Sequence, residues 1–302
     1  MRKVPENSMA MIENRRKKSL IALSMVTPFI VVFATFFLYP LIEMVRISFT
    51  DAPLIGDGDW VGFANYAKLL SDRLFVTSVK NNGYFVLLTV VPTTVIALMI
   101  ALAVSRLSGV KQTIAMSLFF LPYVLPVSVV TEIWAWMLDL QFGILQPVIS
   151  LIAGKPVAVF KNPYWVMPMV AVVTIWWTNG FNVLLFIAGL RNIPTELYEA
   201  AALDGATTWQ RFWRVTWPLL WPVTALVLTL QLILQLKIFD QIYLLSGGGP
   251  FNSSFVLLLK VYREAFQLNN GGYASAVSTV LFLLIVIVSI LQFQLLRIRR
   301  NS

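Results

Sequence analysis

The stretch Glu199-Ala200-Ala201-Ala202-Leu203-Asp204-Gly205, with Val215-Thr216-Trp217-Pro218 ten residues further on, is a polar island between two long apolar runs. Its alanines give a helix face without bulk, and its glycine allows the left-handed turn that ends many helices. Small residues let such a helix lie close against another surface. On either side, residues 165 to 190 and 218 to 240 are each long enough to cross a membrane, whose hydrocarbon core of about 30 Å needs about 20 helical residues. Four more such runs lie at 20 to 42, 83 to 104, 113 to 137 and 273 to 296. The expected fold is all-α and integral to the membrane, with six transmembrane helices.

Composition points the same way. Of 302 residues, 58% are hydrophobic and 12% charged, against about 45 to 50% and about 25% in soluble domains. The chain has no cysteine and no histidine. That removes disulfides, thiolate and imidazole metal sites, and Ser-His and Cys-His catalytic pairs. The net charge of +9 reflects orientation and contact with anionic headgroups in a bilayer protein, so membrane lipid is an expected partner and nucleic acid is not. Arg15, Arg16, Lys17 and Lys18 precede the first run, but that run is too long for a signal peptide and no small-residue cleavage site follows it.

Cytoplasmic loops carry the excess of Lys and Arg. With the N-terminus inside, the inner segments hold 14 of these residues and the outer segments 8, Lys237 falling inside a run. Both termini and the polar island are therefore expected in the cytoplasm. The expected organisation is a basic tail (1–19), a six-span domain (20–296) containing the inner loop 191–217, and a short cytoplasmic tail (297–302). The longest outer loop, 43 to 82, has room for at most a small helical cap, and no internal repeat is evident.

Within the inner loop, Asn192 and Pro194 form a helix start, Pro being favoured in a first turn, and the helix runs through Leu203 to Gly205. A second helix follows. Trp209, Phe212, Trp213 and Trp217 recur at helical spacing beside Arg211 and Arg214, which places this segment in the inner headgroup zone before Pro218 leads into span five.

The full pattern is Glu-Ala-Ala, three residues, Gly, nine residues, then an aliphatic residue, any residue and a residue before Pro. It resembles the EAA loop of permease subunits of ATP-binding-cassette (ABC) importers. Val215 stands where that pattern usually has Ile, and Trp217 where it has Leu; both exchanges are apolar. A bare EAA triplet arises by chance in hydrophobic chains, whereas the whole pattern in the penultimate cytoplasmic segment of six spans does not. The resemblance implies the type I ABC importer permease fold and a helix pair docked in a groove of an ATPase subunit. It implies coupling roles for Glu199 and Gly205, with Ala200, Ala201 and Asp204 lining the contact.

Further segments are similar to carbohydrate permeases, specifically the maltose-type first subunit: Phe37-Leu38-Tyr39-Pro40 with Ser48-Phe49, Val61-Gly62-Phe63-Ala64-Asn65-Tyr66, Phe239-Asp240-Gln241-Ile242-Tyr243 with Gly247-Gly248-Gly249-Pro250, and Gly272-Tyr273-Ala274-Ser275-Ala276. The large extracellular domain of the enterobacterial maltose subunit is absent here. The family implies a bacterial cytoplasmic (inner) membrane location, a second homologous permease, two ATP-binding-cassette ATPase subunits and an extracytoplasmic solute-binding protein. ATP and Mg bind the ATPase, so the chain itself is expected to be non-catalytic and without a cofactor.

Polar residues inside hydrocarbon usually face the bundle interior or a water-filled path. Span five carries Gln231, Gln235, Lys237, Asp240 and Gln241, with Lys237 and Asp240 at i and i+3, able to pair on one face. Sugars are matched by amide hydrogen bonds and aromatic faces, which makes Gln231, Gln235, Asn179, Asn182, Trp176 and Trp177 pathway candidates along with Lys237 and Asp240. Internal amide bonds and an internal ion pair stand as equal readings for span five. For the tryptophans, packing or lipid contact is favoured over solute.

Glu132 reads as lying near the outer interface rather than capping a break at Pro122 and Pro126. The Gly247 to Pro250 loop turns tightly outside span five and shapes the gate or a binding-protein contact, or is only a turn. Two alternatives remain: an importer of glycerol-phosphate-type solutes, and an ion-coupled secondary transporter, for which Glu132, Lys237 and Asp240 are a thin supply of charges. An enzyme finds no clustered catalytic groups here.

Overall fold

In a computed structural model of the chain, residues 23–298 are described; the basic tail read at 1–19 and residues 299–302 lie outside the described residues. In chain order the helices are α1 (Leu23–Ile47), α2 (Ala64–Ser71), α3 (Arg73–Val104), α4 (Gly109–Val124), α5 (Val127–Met137), α6 (Gln146–Ala153), α7 (Val166–Arg191), α8 (Thr195–Leu203), α9 (Thr208–Leu236), α10 (Asp240–Leu245), α11 (Leu257–Tyr262) and α12 (Gly271–Ile298). Five of them, α1, α3, α7, α9 and α12, are long and apolar enough to cross a membrane. Residues 113 to 137 do not form the single rod expected. They belong to the pair α4 and α5, bent by 97°. A proline disfavours helical geometry in the residue before it, and Leu125, ahead of Pro126, sits at ψ 139°.

Other boundaries also differ from the sequence reading. α3 begins ten residues before position 83, because Asp72 caps it by accepting from the Leu74 and Phe75 N–H groups at 2.8 and 3.2 Å. At 1.5 Å per residue it is about 48 Å long and overhangs the hydrocarbon. α9 absorbs both the headgroup segment and span five into one rod. A π turn over Phe212–Thr216, closed by the Trp217 N–H to the Phe212 carbonyl, carries the chain through Pro218 without a break.

α9 ends at Leu236, not at 240, with Lys237 and Phe239 outside helical geometry. Lys237 is thus beyond the span rather than within it, and the break takes Lys237 and Asp240 off any common helical face. Both are exposed, and the ion pairs among the described residues do not include them.

α7 is the hub. The half of α7 nearer α8 packs Val183, Phe186 and Ile187 against Ala97, Ala101 and Val104 of α3 and Leu220 and Val227 of α9. The opposite half packs Val166, Met167 and Val170 with Phe85, Ile238, Ile242 and Phe255. Gly180 lies directly on the backbone of Phe119 and Phe120, so any side chain there collides with α4. Close packing of this kind matters because lipid is as apolar as leucine, and helices in a bilayer associate through contact and hydrogen bonds. α1 has no buried residue in its apolar stretch, a surface that lipid satisfies. The loop between α1 and α3 holds the short α2, an isolated antiparallel bridge between Thr50 and Trp60 and an aromatic cluster of Phe49, Trp60, Phe63 and Tyr66.

Candidate functional site: the inner loop and the buried amides

α8 follows Pro194, which sits at the N-cap just outside the first turn. The helix ends in a Schellman turn: the Ala206 N–H bonds the Ala201 carbonyl at 2.9 Å and the Gly205 N–H bonds the Ala202 carbonyl at 3.0 Å. Gly205 has φ +75°, a conformation that glycine adopts without strain. Apart from the glycine itself and its two chain neighbours, no atom stands within 4 Å of the position its Cβ would take. Glu199, Ala200, Asp204 and Gly205 are exposed, and Ala201 is half-buried. Leu203 is 90% exposed, an apolar side chain at the tip of the turn, one helical turn beyond Glu199.

The turn is firmly mounted from behind. Tyr198 Oη and Thr216 Oγ1 share a hydrogen bond of 3.0 Å, tying α8 to α9. Thr207 and Gln210 form a capping box, Gln210 N–H to Thr207 Oγ1 at 3.3 Å and Thr207 N–H to Gln210 Oε1 at 2.8 Å, which starts α9. Arg191 donates to Gln112 Oε1 at 2.9 Å and links the loop to the other inner loop. Trp209, Trp213, Trp217 and Trp221 stack edge to face down α9 at 5.6 to 5.9 Å. The arrangement presents a small, stiff knob with a carboxylate and a leucine, and rigid helices behind it.

In the interior, three amides predicted as solute contacts bind one another. Gln231 Nε2 donates to Asn182 Oδ1 at 3.0 Å, and Gln235 Nε2 donates to Gln231 Oε1 at 2.9 Å; all three side chains are buried. They bridge α7 and α9. Trp177 donates its indole N–H to the Leu125 carbonyl at 3.1 Å, at the α4–α5 break. Asn179 differs. Its Oδ1 is buried without a hydrogen-bond partner, and it lines a cavity of about 450 Å³ with Ile96, Ile100, Phe119, Pro122 and Trp176. Glu132 lies exposed on α5.

At the outer end the polar groups are also used internally. Lys260, buried on α11, sits 2.7 Å from Asp72 Oδ2 and 3.0 Å from Glu264 Oε1. Tyr273 donates its hydroxyl to the same Asp72 oxygen at 2.7 Å. Burial by itself raises the Asp72 carboxyl, but hydrogen bonds from Lys260, Tyr273 and the Phe75 amide outweigh it and hold the group down at about 2.

Residues 82–300 match the family described as a binding-protein-dependent transport system inner membrane component. The chain belongs to that family. Among its relatives, a multiple sugar-binding transport system permease of Streptococcus mutans is 34% identical over 269 residues, covering 86% of this chain and 89% of that one. A trehalose/maltose transport system permease of Thermococcus litoralis is 30% identical over 279 residues, covering 92% and 94%. A chain from the crystal structure of a bacterial ABC transporter involved in the import of the acidic polysaccharide alginate has a TM-score of 0.84, covering 95% of this chain and 98% of that one at 22% identity. The fold is that of a type I ABC importer permease, and the chain is a multi-pass inner-membrane permease subunit.

Two features of this permease escaped the sequence. Leu203 reads as one more apolar residue of a helix, and only the turn geometry shows that it points outward. Lys260 reads as an ordinary loop cation, and of its partners only Glu264, one helical turn away, is near enough along the chain to have signalled the pair.

Proposed function

We propose that this chain is one of two permease halves in an ATP-driven importer of a carbohydrate or sugar derivative. The named activities of the relatives, trehalose/maltose and multiple sugars among them, support the solute class. The observation that carries the drive is the exposed Glu199 to Gly205 turn, with Leu203 at its tip and α9 rigidly mounted behind it. A knob seated in a cleft of the ATPase carries closure of that cleft into the membrane as a rigid-body movement.

On this reading ATP and Mg bind a separate ATPase pair, a second homologous permease completes the pathway, and an external binding protein delivers the solute. Both termini then face the cytoplasm. Asn179, which lines the cavity beside Trp176, is the interior residue best placed to meet a sugar hydroxyl.

The test is uptake of a panel of radiolabelled sugars in cells carrying the assembled transporter, with ATP hydrolysis followed in parallel. Replacing Glu199 and Gly205 together is expected to uncouple ATP hydrolysis from uptake in the assembled transporter and to weaken co-purification of the ATPase. Wild-type uptake by that double variant overturns the coupling role. Uptake that stops with an uncoupler while cellular ATP is held constant favours an ion-coupled carrier instead.

A further inference from the structure

Residues 237 to 270 leave the bundle at the outer end of α9 and return at α12. Side chains from the start of α3 hold this excursion at three points, and none of the partners is near in sequence. Asn82 is buried and uses both ends of its carboxamide: Nδ2 donates to the carbonyl of Leu236, the last residue of α9, at 2.9 Å, and Oδ1 accepts the N–H of Leu257, the first residue of α11, at 2.8 Å. Its neighbour Asn81 donates to the carbonyls of Asn252 and Phe255, both at 2.9 Å. Asp72, just ahead of the helix, receives Lys260 and Tyr273.

The Leu236 carbonyl is one of the groups that a helix C-terminus leaves without an intrahelical partner, and the Leu257 N–H is the equivalent at a helix start. One amide satisfies both. An apolar residue in its place leaves a buried acceptor and a buried donor unpaired, so the pin sets the spacing of three helices, not merely their contact. The excursion it holds is itself stiff: Ser246, Ser254 and the Gly249 carbonyl are joined by hydrogen bonds of 2.8 Å. Phe251 is 92% exposed at φ +52° at its tip. At its other end α9 carries the inner turn through Tyr198 and Thr216.

We infer that Asn82, assisted by Asn81, is a positioning residue of the transport cycle: it locks the outer end of α9 and the outer excursion to α3. A displacement received at the outer face then reaches the inner turn as movement of one rod. This rests on the coupling role proposed above for Glu199 to Gly205.

The absence of cysteine allows a direct test in the assembled transporter. Spin labels at Tyr84→Cys on α3 and Phe251→Cys on the excursion are expected to keep one separation in the nucleotide-free state and after trapping with ATP and vanadate. A change of more than about 5 Å, one helical turn, overturns the pin. ATP hydrolysis supplies the second readout, measured with and without the external binding protein carrying the sugar that the uptake panel identifies. Asn82→Leu is expected to lower the stimulated-to-basal ratio by about threefold or more with basal turnover unchanged. Asn82→Asp, which keeps the acceptor and loses the donor, falls between. An unchanged ratio in Asn82→Leu overturns the inference. Should that variant fail to assemble, the label separation with Asn82 intact decides. A wild-type complex without any stimulation sinks the importer reading instead, and the label separation still judges the pin.

Discussion

The inner loop (191–217) and the outer excursion (237–270) are both runs of short helix and turn between spans, yet they treat their polar and charged side chains in opposite ways. In the inner loop Glu199 and Asp204 stand exposed beside an exposed Leu203, and the hydrogen bonds that hold the turn come from residues behind it. The outer excursion leaves Lys237 and Asp240 exposed at its start, but its Lys260, Glu264 and Ser254 are buried and consumed by internal contacts. A surface whose groups are left open is built to meet a partner. One whose groups are spent internally is built to keep its shape, and under the function proposed above the permease has one of each at the two ends of α9.

The largest expected effect lies at the outer end. Lys260→Met leaves the Asp72 and Glu264 carboxylates together without their cation and is expected to cost about 3 to 5 kcal/mol, as for other broken buried pairs. Thermal unfolding of the purified chain measures it. A cost below about 1 kcal/mol means the outer pair behaves like a surface one, and the contrast with the inner loop fails.

Gln231→Leu strands Asn182 Oδ1 and Gln235 Nε2 between α7 and α9 and is expected to cost about 1 to 2 kcal/mol, amides in membrane bundles being worth less than their burial suggests. The same unfolding assay reads it, and Gln235→Leu, at the end of the chain of amides, should cost less. At the inner loop, Thr207→Ala removes one half of the capping box and is expected to cost about 1 kcal/mol. Faster amide exchange confined to the first turn of α9 is its signature, and exchange spreading into α8 argues that the two helices are one unit.

Acidity sharpens the contrast with the smallest effect near neutrality. The Asp72 carboxyl is held at about 2, below its ordinary 3.8. A carboxyl depressed in the folded state contributes stability that is fully present above about pH 4 and is lost as pH falls toward 2. Unfolding midpoints of the wild type should therefore show no Asp72 contribution to their pH dependence between about pH 5 and 8. Asp72→Asn should flatten the loss seen at low pH.

Much of the inner loop was legible because its determinants are local. The alanines, Asp204 and Gly205 specify a helix and its left-handed stop within seven residues, and the Schellman turn forms there. The six apolar runs were legible for the same reason, length and hydropathy being properties of consecutive residues. Near Pro126 the sequence offered the right signal but not its size, since how far a span bends depends on what its two halves pack against. The reading of Gln231 and Gln235 as possible solute contacts left out their direction. At α9 they face Asn182 on α7, 49 residues away along the chain, and no local pattern says so.

Membrane residence, the number of apolar runs, the charge bias of the loops and the inner turn were determined by the sequence itself, because transfer into hydrocarbon and helix termination are decided residue by residue. The tertiary structure alone decided that α9 is one rod ending at Leu236, that three amides close on one another, and that Asn82 and Asp72 reach partners 154 to 201 residues away. Buried polar groups must find donors and acceptors wherever the fold brings them, and in a bundle the nearest ones in space are seldom the nearest in the chain.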